Sequence, residues 1–355
     1  MDQSLLTPGL VSMLVTAADL LALTTCIGIL GFRIWVVSFR DEMSQYSAAL
    51  LQPLWCLLGI CLAVLALSSL GELFRRAVEM SARPLWEIVP MLPTVLFKTH
   101  FGHVWLLRTV ALLVLWLGWR TRPRFGSPGI TTAMLAAACL IAASRSLSGH
   151  AADWGDITLH ELMDWLHLLA VSIWGGSLIG LTLTGFSIFL TGSDERRRLA
   201  FTMARRWSTL AGAMLAVVAL TGIYNAWLEM QRLAAFWETA YGRVLLLKLS
   251  LVLVIVVLGA MNRYLGIPAL EAWASGLPAA DKPFGLTAAV LSSLTREKTR
   301  QGRRDPRLRF VRRARLEGIL MIGTLLCVAL LLSQMPSRHL SRMPSHTTHV
   351  HGMAH

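Results

Sequence analysis

Charged side chains are scarce in this sequence: Asp, Glu, Lys and Arg make up 15% of its 355 residues, against 55% hydrophobic residues. Such a balance, with a mean hydropathy of +0.59, excludes a soluble domain of this size and puts the chain in lipid. CxxC spacing is absent. The five cysteines (Cys26, Cys56, Cys61, Cys139, Cys327) all fall in apolar runs and read as packing residues, not as a disulfide framework. MDQSLLTPGL has no Lys or Arg ahead of the first apolar run and lacks the charged start of a cleaved signal peptide, so the first helix is expected to stay in the mature protein. Neither a Walker A motif nor a phosphorylatable DKTG occurs, and no hydrolytic or nucleophilic constellation is present; an enzyme is not expected. There is no repeat of fixed period and no second soluble domain.

What the sequence has is apolar runs of bilayer length, about 20 residues each. They lie near residues 10 to 32, 49 to 70, 101 to 119, 128 to 146, 160 to 190, 207 to 227, 242 to 265 and 316 to 334. The expected fold is an all-α polytopic membrane helix bundle of about eight transmembrane helices. The net charge of +13 forms no continuous basic face, so it reads as a topology signal and not as a nucleic-acid footprint. Loops 33 to 48, 120 to 127, 191 to 206 and 266 to 315 hold about 21 Lys and Arg, and the alternate segments about eight, so the basic loops are expected in the cytoplasm and both termini outside (N-out/C-out). Three regions follow: residues 1–100, with two spans and an outer amphipathic or lid-like stretch over 71 to 100; residues 101–334, with six spans and the basic loop 266–315 as a surface linker attracted to anionic lipid; and the tail, 335–355.

Outside the tail the histidines are His100, His103, His150, His160 and His167, and all of them map to the outer ends of the third, fourth and fifth spans. His160, Asp164 and His167 are spaced i, i+4, i+7 and share one helix face. They can hold a metal together, or Asp164 can orient a ligating histidine. The structural alternative pairs Asp164 with Arg108 and leaves the histidines as surface caps. The tail adds His339, Met343, His346, His349, His351, Met353 and His355, and imidazole with thioether suits copper as Cu(I) or Cu(II). Deeper in the spans, Asp19, Arg108, Arg243, Lys248, Asn225 and Asn262 can pair helices or relay ions. Met13, Met214, Met261 and Met321 are apolar filler or a soft ladder for Cu(I).

GHAADWGD followed by HELMDWLHLLAVSIWGGSL resembles the signature of the CopD/PcoD copper resistance family of inner-membrane proteins. THFGHVWLLR, LTGIYNAW and YGRVLLLKLSLVLVIVVLGAMNRYLGIP extend the resemblance over most of residues 94 to 268, while the first two spans match loosely and the His/Met tail departs from the family pattern. The resemblance implies copper movement across the bacterial inner membrane, usually inward, with copper received from a periplasmic carrier of the CopC type. It makes His150, His160, Asp164 and His167 the ligands or ligand orienters. With no nucleotide site, gradients or carrier hand-off must drive transport. Two other readings compete: a b-type haem electron carrier, ligated for example by His103 and His167, and a copper sensor or assembly partner that does not transport.

Overall fold

The structure, a computed structural model, describes residues 3–37, 44–81, 87–121, 127–147, 158–184, 186, 193–229, 234–276 and 305–332. Among these residues there is no strand, and eight helical stretches are long and apolar enough to cross a membrane. The first is α1 (Gln3–Gly31), extended by a π turn at Phe32–Val36, and the second is α2 (Ser44–Ser81). A short α3 (Leu92–Lys98) leads into α4 (His100–Arg120) and α5 (Pro128–Ser146). The fifth span is α6 (Leu159–Val171), a π turn at Ser172–Gly176, and α7 (Ser177–Thr184). Then come α8 (Asp194–Glu229) and a single turn, α9 (Ala235–Glu238). The seventh span is α10 (Ala240–Met261), a π turn at Asn262–Gly266, and α11 (Ile267–Ser275); α12 (Pro306–Leu332) is the eighth.

Local chemistry sets the starts of three of these helices. Thr99 and Thr239 accept hydrogen bonds from the Gly102 and Gly242 amides at 3.0 and 2.9 Å. Thr158 and Glu161 form a reciprocal capping box at the start of α6. All three caps lie at the end of the bundle that carries the histidines.

α1 is the central element, packing against α2, α5, α7, α12 and the π turn after α6. Glycine permits the closest approach: a Cβ on Gly28 would overlap the backbone of Gly176, and one on Gly176 would overlap the Thr24 carbonyl. The peripheral helices α8 and α10 leave Leu220, Ile223, Trp227 and Leu253 uncovered, as lipid-facing surfaces do. Trp55 and Trp119 join α2 to α4 reciprocally, each indole N–H donating to the other's backbone carbonyl at 3.2 and 3.0 Å.

Two stretches differ from the sequence-based expectation. GELFRRAVEM does not begin a separate interfacial helix; it continues α2 to Ser81. Arg75 bridges Glu72 and Glu79, and Arg76 lies 3.5 Å from Glu72, so charge pairs along one helix face satisfy the polar groups where the span leaves the apolar layer. The arginines from Arg307 to Arg315 are not in a linker but on the opening turns of α12. Asp305 starts that helix, accepting from the Arg307 amide at 2.9 Å and from its guanidinium Nε at 2.5 Å.

Candidate metal site at the histidine end of the bundle

α6 presents His160, Asp164 and His167 toward the bundle, each with different surroundings. His160 is buried beside the capping box. Asp164 accepts a hydrogen bond from Ser146 Oγ at 2.5 Å, and the same hydroxyl reaches the Glu161 carbonyl at 3.3 Å, tying α6 to the last turn of α5. One turn further in, His167 Nδ1 lies 2.9 Å from Thr221 Oγ1 on α8.

The hydrogen-bond inventory around His167 is met by one tautomer. The Thr221 hydroxyl proton goes to the Val217 carbonyl at 2.7 Å, so Oγ1 has only lone pairs for the ring. The Val218 carbonyl, also beside the imidazole, can only accept. That tautomer has the proton on Nδ1 and leaves the Nε2 lone pair available to a metal. Gly222 leaves room for the ring: a Cβ there would lie 3.1 Å from His167 Cε1.

Further polar groups lie on the helices beyond this histidine. Asn225, one turn beyond Thr221 on α8, has a buried Oδ1 with no partner. Lys248 on α10 lies within coulombic reach of both His167 and Asp164, and Cys327 on α12 is near Lys248. His167 and Lys248 each sit eight residues past the start of their helix, so the group lies roughly 12 Å below the helix ends.

His100 and His103 are exposed at the mouth of α4, where His103 Nε2 is 3.2 Å from the Phe97 carbonyl. His150 and the tail residues His339, Met343, His346, His349, His351, Met353 and His355 lie outside the described residues. Among the described residues, no three His, Cys, Asp or Glu side chains gather into a metal-binding group.

Arg108 does not pair with Asp164. It shares the buried carboxylate of Asp19 with Arg145, and Ser68 Oγ donates to the same carboxylate at 2.6 Å, so one acidic group joins α1, α2, α4 and α5. The physical reason is polarity: two guanidiniums flank Asp19, while Ser146 already satisfies Asp164. Sequence reasoning missed Arg145, because SRSLSG read as the end of a span. It also missed Thr221, since a threonine in an apolar helix gives no signal of its own. All five cysteines are free thiols; Cys26, Cys61 and Cys327 are buried, Cys139 is partly covered and Cys56 is exposed.

Two family descriptions match the chain: Copper resistance protein D-like, N-terminal domain, over residues 7–157, and Copper resistance protein D over residues 201–331. Copper transport protein CutJ of Bacillus subtilis (strain 168) is 32% identical over 56% of this chain and 38% of its own length. Copper resistance protein D of Pseudomonas syringae pv. tomato is 28% identical over 61% of this chain and 68% of its own. Inner membrane protein YebZ of Escherichia coli (strain K12) is 26% identical over 53% of this chain and 60% of its own. The chain thus spans well under half the length of the first of these relatives and about two thirds of the other two. No solved structure matches.

Proposed function

The chain belongs to the copper resistance protein D family, whose members are multi-pass proteins of the bacterial inner membrane, and from that premise we propose that it carries copper across that membrane from periplasm to cytoplasm. The observation that carries the proposal is His167. Its ring is fixed by Thr221 with Nε2 unprotonated, on the same helix face as Asp164, at the end of the bundle that the positive-inside rule turns toward the periplasm. His167 is the core ligand. Asp164, held by Ser146, compensates the charge of the arriving ion. Lys248 balances Asp164 before the ion comes, so copper competes with the ammonium for the carboxylate. His160 and His150 complete or orient the site. His100, His103 and the tail histidines and methionines capture copper from a periplasmic carrier of the CopC type.

Metal content and visible absorbance of the detergent-purified protein test this reading, with His160→Ala and His167→Ala alongside. Copper without a Soret band, lost in His167→Ala, supports it, and truncation after Pro336 then lowers capture only when copper is scarce. A Soret band would transfer His103 and His167 to the haem reading. Loss of all copper on truncation would remove the core site.

A further inference from the structure

Among the described residues, the half of the bundle away from the histidines contains one buried acidic side chain, which the site above does not use. Glu317 on α12 is 5% exposed, eleven residues past Pro306 and so roughly 16 Å along the helix. Its Oε1 accepts from Asn262 Nδ2 at 2.6 Å, and Asn262, itself 8% exposed, opens the π turn after α10. Asn262 Oδ1 is buried without a hydrogen-bond partner. On the α10 side, Gly259 leaves space: a Cβ there would come within 3.6 Å of Glu317 Oε2. On the α7 side, Thr182 rests against Gly318 with its hydroxyl buried and unpartnered.

The charges around Glu317 are few. Arg313, one turn back along α12, is the ionisable group whose charge reaches it. Beyond Asn262 on the π turn, Arg263 points away, donating to the Ser208 carbonyl on α8 at 2.8 Å. α7 has no ionisable residue, and Glu271 on α11 is exposed. On α1, Asp19 is held by Arg108 and Arg145, and Arg33 lies in the terminal π turn.

A primary amide offers one face with both a donor and an acceptor. A carboxylate uses only the donor and strands the buried Oδ1, which is costly away from water. A neutral carboxylic acid supplies the missing donor: Nδ2–H donates to Oε1, and the acid O–H on Oε2 is the group that can turn to Oδ1. We propose that Glu317 is held as the neutral acid paired to Asn262, and that it is a proton-exchanging station for cation passage through this half of the bundle. The coupling half of this proposal rests on the transport reading above. When a monovalent cation arrives, the Glu317 O–H bond breaks, the proton leaves toward the basic end of the bundle, and the carboxylate takes the cation; when the cation follows, a proton from the histidine end restores the acid, so each cycle carries one proton and one cation the same way. One positive charge replaces another, so the site never carries an uncompensated charge.

The test uses the full-length protein and Glu317→Gln, which keeps an amide-to-amide pair with Asn262 and so preserves folding. Infrared spectra of reconstituted protein should show a protonated-carboxyl C=O band at neutral pH that is missing in E317Q; a wild-type spectrum without that band overturns the neutral acid. In proteoliposomes loaded with a pH dye and given Cu(I), the wild type should release protons as copper enters. E317Q should keep His167-dependent copper binding but lose at least about tenfold of the uptake driven by an imposed pH gradient. Unchanged gradient dependence in E317Q overturns the coupling. Absence of copper uptake by the wild type overturns the transport reading and the coupling with it, while the infrared band still decides the state of Glu317.

Discussion

Replacing Thr221 with valine keeps the shape of the side chain and removes the acceptor that holds His167. The 2.9 Å contact is the side-chain bond that orients the ring, and the Val218 carbonyl beside it is left as the ring's backbone acceptor. Weakening the hold on a buried N–H costs up to about 1 to 3 kcal/mol. The proton is then free to move to Nε2, the nitrogen the metal needs. At about 1.4 kcal/mol per factor of ten, copper affinity should fall roughly 5- to 100-fold, in the range seen when outer-sphere partners of metal-bound histidines are lost. The assay is competition for Cu(I) against a chromophoric chelator, using protein truncated after Pro336 so that the tail does not mask the core. Thr221→Ser, which restores the oxygen, should bind as the wild type does. Equal affinity in T221V and wild type, with binding still lost in H167A, would refute the assigned tautomer.

Asp19→Asn should lower thermal stability in detergent by about 3 to 5 kcal/mol, because Arg108 and Arg145 keep their charges without the carboxylate between them. Gly28→Val places a side chain into the Gly176 backbone and should cut the yield of monodisperse protein sharply, whereas Gly129→Ala, which meets nothing within 4 Å, should leave it unchanged. Burial works against ionisation of Asp305, but the Arg307 hydrogen bonds prevail and hold its carboxyl below the ordinary value. A lowered folded-state value gives the helix start a stabilisation that is complete above the unfolded value of about 4 and is lost as pH falls through the folded value. Amide exchange over 307–309 should therefore quicken below that pH in the wild type, and Asp305→Asn should remove the transition.

Much of the architecture was legible because bilayer length is a crude and dominant constraint: the eight apolar runs correspond to the eight membrane-length helices. The i, i+4, i+7 spacing likewise placed His160, Asp164 and His167 on a common face. Partners were not legible. Asp19, Arg108 and Arg145 are up to 126 residues apart in sequence, and a charge alone does not say which opposite charge it meets. Glu317 was hidden by its neighbours, since RRARLEG reads as the end of a basic loop until the helix is seen to run through it from Pro306. The outward continuation of α2 was hidden for the opposite reason. Its charged last turns look like an interface helix, yet the Glu72, Arg75, Arg76 and Glu79 pairs let one helix run on without a break.

Among the described residues, three of the spanning helices contain a π turn, at Phe32–Val36, Ser172–Gly176 and Asn262–Gly266. Such a turn holds one residue more than the α-helical repeat needs, and each extra residue advances the angular phase by about 100°. Past His167 the one-sided stripe gives way to a stretch, Trp174 to Leu181, in which every residue is buried. A substitution scan of the helix containing Lys248 would show two periodic patterns of tolerance joined out of phase across Asn262–Gly266. One uninterrupted helical wheel would misplace the positions of its second half by about 100°.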